Sequence, residues 1–118
     1  MGLSQATCVL RASGRRFAAQ RYLATSTLVP EEVGEHHFEV VVSHAAATDR
    51  DRLLADAERF LDSPRLDLTR LFSFPGVERV ALVFRCGDQP AFKLPARMCM
   101  ALGRHGLELE VVEGLQSP

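Results

Sequence analysis

Tryptophan is absent from the 118-residue chain, Tyr22 is its only tyrosine, and Lys93 its only lysine. Cysteine is scarce: Cys8, Cys86 and Cys99 are odd in number and no two stand two residues apart, so neither a paired-disulfide framework nor a zinc-knuckle or dithiol spacing is present. They read as small hydrophobes of a reducing compartment, Cys8 and Cys99 buried and Cys86 the most exposed thiol. No apolar run approaches the roughly 18 residues that span a bilayer, so no membrane contact of that kind is expected. No basic start and apolar block mark a secretory leader between Met1 and Ala12, and Ala6 stands where N-myristoylation needs Ser or Thr. The expected location is therefore cytoplasmic. Acidic residues are missing from residues 1–30, which carry Arg11, Arg15, Arg16 and Arg21. That stretch shares the Arg-rich, acid-poor character of a mitochondrial presequence, but it also reads as a strand followed by a helix. No excess charge of either sign exists overall: 14 basic and 15 acidic residues leave a net charge of -1, which argues against nucleic-acid binding through bulk charge.

Apolar residues make up 47% of the chain, enough to exclude disorder and to build one modest core. The length fits a single domain, with an ordered core over 6–112 and a frayed tail over 113–118. Ala6 to Ser13 predicts a strand, with Cys8, Leu10 and Ala12 on one face. After the Ser13-Gly14 turn, Arg15 to Ala24 has a partial helical face of Phe17, Ala18 and Tyr22. Thr25 to Pro30 reads as extended, limited by Pro30 to an edge. Phe38 to Ser43 predicts a strand with Phe38, Val40 and Val42 on one face. Thr48 is the expected cap of a helix whose Leu53, Leu54, Ala57, Phe60 and Leu61 recur at the helical period, stopped by Ser63-Pro64. Leu66 to Phe72 has no clear type. Glu78 to Phe84 predicts a strand buried on both faces. Pro95 fits a first helical turn, and Met98, Ala101, Leu102 and His105 share a face before Gly106 ends the helix. Leu107, Leu109 and Val111 alternate with Glu108 and Glu110 in a last strand.

This order predicts an α+β fold: a four- or five-stranded sheet, mixed or antiparallel, with two or three helices on one face.

No residue cluster names a reaction, so no catalytic residues, cofactor or metal are expected. His36 and His37 are adjacent on an extended chain and point to opposite faces, and His44 is too far along the strand to chelate with either. Asp49, Asp51, Asp56 and Glu58 crowd one helix start, where acids complement the helix dipole, and Arg52 to Asp56 has ion-pair spacing. Ser13-Gly14-Arg15-Arg16 is far short of a phosphate-binding loop. What stands out is polarity along the chain, +4 in residues 1–30 against -5 in the remainder. Arg15, Arg16 and Arg21 are the candidate partner-binding residues, suited to steering an acidic protein.

Ser13-Gly14, Phe17 to Leu23, Leu28-Val29-Pro30 and Gly34 are followed near the other end by Phe92-Lys93-Leu94-Pro95 and by Leu102 through Gly106 into Leu107-Glu108-Leu109-Glu110. In this the chain resembles the DUF4279 family of small bacterial domains over roughly residues 6–112. It departs from the family where Phe17-Ala18-Ala19 replaces an Asp-Pro helix start, and where Glu31 to Gly34 replaces a tryptophan and Lys-Gly. The resemblance implies an α+β domain among bacterial accessory proteins, including immunity proteins, and carries no catalytic residues. The leading expectation is a non-catalytic protein-binding module of the inhibitor or immunity type. The alternative is a small-ligand binder or enzyme with a pocket between sheet and helices near Arg15, Arg16 and His37, in which replacing His37, Cys86 or Asp88 would abolish function.

Overall fold

A computed structural model describes residues 5–46, 50–62, 68–85 and 94–112. The expected α+β architecture is present as one five-stranded mixed sheet with its helices on one face. In chain order the elements are β1 (Gln5–Ser13), α1 (Ala19–Ala24), β2 (Glu32–Val33), β3 (His37–Ala46), α2 (Arg50–Leu61), α3 (Leu68–Ser73), β4 (Arg79–Arg85), α4 (Ala96–His105) and β5 (Glu108–Val112). The sheet order is β2-β3-β1-β4-β5. All neighbours are antiparallel except β4 and β5, which run parallel and are joined through α4. A parallel pair needs such a crossover, and a helix supplies it.

The strand pattern explains the two faces. Ala6, Cys8, Leu10 and Ala12 of β1 enter the main core, while Val9 lies in a second, smaller cluster with Ala81, Val83, Val41 and Val112 on the other side. β4 is buried on both faces over Val80 to Phe84, as its unbroken apolar run requires. In β3 the alternation is broken. Cys8 pairs with Ser43 but Val9 with Val41, so Val42 is a bulge. Phe38 and Val40 are buried before it; beyond it the parity changes and Ser43 reaches Asp56 of α2.

The helices cover the inner face through Leu53, Leu54, Ala57 and Leu61 of α2, Leu68 and Leu71 of α3, and Met98, Ala101 and Leu102 of α4. Phe60 only half enters this layer. A π cluster fills the end nearest α1: Tyr22 stacks on Phe38 at 5.7 Å between centroids, and Phe74 meets Phe17 and Tyr22 edge-on at 5.9 and 5.3 Å. Such pairs add about 0.5–1.5 kcal/mol each beyond their burial. Gly106 terminates α4 in the left-handed region at φ 69°. Its N–H donates to Gly103 and the Leu107 N–H to Leu102 at 2.9 Å, a Schellman closure that satisfies the last carbonyls.

Several local expectations change. Residues 15–18 are not helical, because the Phe17 N–H closes a turn on Gly14 at 3.2 Å and α1 begins only at Ala19. Residues 25–30 are not a strand. Thr25 ends α1, the Ser26 hydroxyl accepts from the Leu28 N–H, and the edge strand falls at Glu32–Val33. The untyped stretch contains α3, a fourth helix too short to show a clear period. Cys99 is exposed rather than buried, since α4 turns Met98, Ala101 and Leu102 to the core instead; Cys8 is buried as expected. Thr48, Asp49, Ser63-Pro64, Cys86, Asp88, Phe92-Lys93 and the 113–118 tail lie outside the described residues.

Candidate functional site

Arg15 and Arg16 form the tip of the turn that leaves β1, and Arg21 sits on α1; all three are exposed. Their platform is tightly held. The Gly14 N–H donates to the His36 carbonyl at 3.1 Å, and the Glu78 N–H donates to Ser13 at 2.9 Å. A Cβ on Gly14 would overlap the Gly76 carbonyl oxygen, and one on Gly76 would overlap the Arg16 carbonyl. Gly76 has φ +90°, so two glycines let the turn after β1 lie directly against the turn before β4. On either side of the arginines, Phe17 and Tyr22 are buried anchors. Arg70 of α3 caps the end of α1, donating to the Thr25 carbonyl at 3.0 Å and lying 5.0 Å above the Tyr22 ring.

Six other arginines differ from these three. On the open face of the sheet Arg11 binds Glu110 and lies 3.8 Å from Glu39, Arg85 binds Glu39 at 3.1 Å, and Arg79 binds Glu108 at 3.4 Å. On the helix layer Arg59 binds Asp56 at 2.8 Å, Arg97 binds Glu58 at 2.8 Å, and Arg104 approaches Asp62 at 3.8 Å. The side chains of Arg15, Arg16 and Arg21 make no ion pair with a described residue. The backbone N–H of Arg15, not its guanidinium, donates to Glu78 at 3.3 Å.

The remaining candidates are occupied locally. His36 Nδ1 donates to the Phe17 carbonyl at 3.1 Å, and His37 Nε2 donates to Glu32 at 3.0 Å with its ring against Gly34. His44 is exposed. Asp56 takes the Ser43 hydroxyl and Arg59. Among the described residues no three His, Cys, Asp or Glu side chains gather as a metal would need. Nor is any described helix long and apolar enough to cross a membrane. A shallow hollow of about 190 Å³ lies between α2 and α4, lined by Glu58, Asp62, Arg97, Met100, Ala101 and Arg104. A wider one borders Val42, Asp56, Arg59 and Phe60. Neither is lined by Arg15, Arg16 or His37, where the ligand-pocket alternative would place its cavity.

The sheet-face lattice around Glu39 escaped the sequence reading. The only signal was charge placed among strand residues, and its pairing depends on strand order. Comparison with protein-family models, curated proteins and solved structures finds no match for this chain.

Proposed function

We propose that this chain is a small non-catalytic protein-binding module, of the inhibitor or immunity kind that its resemblance to the DUF4279 family implies, and that Arg15, Arg16 and Arg21 dock an acidic protein partner in the cytoplasm. One observation carries the reading. Six other arginines are bound to acids of their own chain, while these three stand exposed with no ion pair to a described residue, on a turn held by backbone hydrogen bonds and on its adjoining helix. A positive patch left open on a fixed platform raises encounter rates with an acidic surface and costs little ordering on docking.

The test compares wild type with the Arg15→Ser/Arg16→Ser/Arg21→Ser variant and with an Arg59→Ser/Arg97→Ser/Arg104→Ser control of equal charge loss. Each tagged protein is used to isolate partners from its host, and association with the isolated partner is timed at two salt concentrations. The first variant should associate more slowly and with a flatter salt dependence, while the control behaves as wild type. Equal association by all three at both salts would overturn the docking role. Loss of function on His37→Ala alone would favour the ligand-binding alternative.

A further inference from the structure

We infer that the outer edge of β5 pairs antiparallel with β5 of a second copy of this chain, about a two-fold axis at Glu110. The two edges of the sheet are treated differently. β2 is only two residues long, too short to serve as a template. β5 has five residues, no proline and an unshifted register with β4, its one sheet partner among the described residues. Edge strands are ordinarily protected by shortness, proline, bulges or outward charge. Here the two charges are engaged inward, Glu108 by Arg79 of β4 and Glu110 by Arg11, which reaches across β4 from β1. On the opposite face Leu109 and Val111 remain 42% and 43% exposed.

Directly opposed residues of an antiparallel pair lie on one face. Centring the pair on Glu110 therefore sets each Leu109 against the second copy's Val111 and joins four apolar side chains. Each Glu108 meets a Val112. Glu110 meets its own counterpart, and that repulsion is moderated because Arg11 holds each carboxylate over its own sheet. The apolar pattern is thus self-complementary. An edge five residues long falls below the roughly 1,200 Å² of a standard interface, so the dimer is weak and concentration-dependent. Its unfavourable contacts are between like charges, Glu110 with its counterpart and Glu108 diagonally with Glu110 of the second copy, so added salt strengthens it. Docking of a basic extended peptide on Glu108 and Glu110 would respond to salt in the opposite sense.

Sedimentation velocity on the full chain should show dimer increasing with concentration and with salt. Leu109→Lys/Val111→Lys should weaken association about tenfold or more. Glu110→Cys, in a Cys86→Ser/Cys99→Ser background, should form a disulfide-linked dimer on mild oxidation, because opposed Cβ atoms come within bridging range. Gly103→Cys, in open space on α4, should not. A monomer at all concentrations without the Glu110→Cys cross-link overturns the proposal. So does a dimer indifferent to the two lysines, or one that salt dissociates. Should the lysine variant fail to fold, the cross-link decides alone.

Discussion

Replacing Glu39 by Gln removes one charge from the centre of the open sheet face and leaves the side-chain shape nearly unchanged. The Glu39 side chain is 12% exposed, with Arg85 at 3.1 Å and Arg11 at 3.8 Å. Stripping one partner from a fully buried ion pair costs about 3–5 kcal/mol, because the survivor is stranded. Neither survivor is stranded here. Arg11 keeps Glu110, and Arg85 is 41% exposed and can be hydrated. Two partly screened pairs at about 0.5–1 kcal/mol each give an expected loss of about 1–2 kcal/mol. Glu108→Gln is the internal comparison. Its pair with Arg79 is 50% and 72% exposed, so its loss should stay below about 0.5 kcal/mol. Urea denaturation followed by far-ultraviolet circular dichroism measures both. In high salt the Glu108 effect should vanish while most of the Glu39 effect persists, since partly buried pairs are screened less. Equal and near-zero losses for the two variants would refute the claim that burial strengthens the Glu39 pairs.

Phe17→Ala, at the fully buried centre of the π cluster, should cost about 3–5 kcal/mol in the same assay, and the half-buried Phe60→Ala clearly less. Gly76→Ala should cost at least about 1–2 kcal/mol from the left-handed backbone alone, with the overlap at Arg16 adding to it; a neutral result would disprove the clamped-turn geometry. Thiol titration should label Cys99 in the native protein and Cys8 only after denaturation.

Periodicity made the four longer strands and the two long helices legible, because burial on one side writes itself into residue spacing. The core face of α2, the double burial of β4 and the Gly106 cap follow directly from that. Short-range geometry was less visible. The six residues of α1 and of α3 are too few to establish a period, and hydrogen bonds at Ser26 and Thr25, rather than propensity, decide that residues 25–30 carry no strand. The bulge at Val42 was hidden for a similar reason: one inserted residue inverts the faces without altering composition. At the candidate site the sequence singled out Arg15, Arg16 and Arg21 by the absence of nearby acids. It could not separate them from Arg11, because strand order brings Glu110 to Arg11 across 99 residues.

The position of β1 between β3 and β4 has a consequence for how the chain assembles. The strand that comes first occupies the middle of the sheet, so both of its hydrogen-bonding edges must wait for partners made later. β3 arrives after a loop of moderate length, whereas β4 closes one nearly three times as long. Each doubling adds only about 0.6 kcal/mol of closure entropy, so stability hardly registers the delay. The rate does, because distant pairings slow the search for the native arrangement. During that interval Cys8, Leu10 and Ala12, which end in the main core, have only β3 and the first helices to cover them. The parallel strand β5 can join only once β4 is in place, making the sheet's growth directional from its centre to that edge.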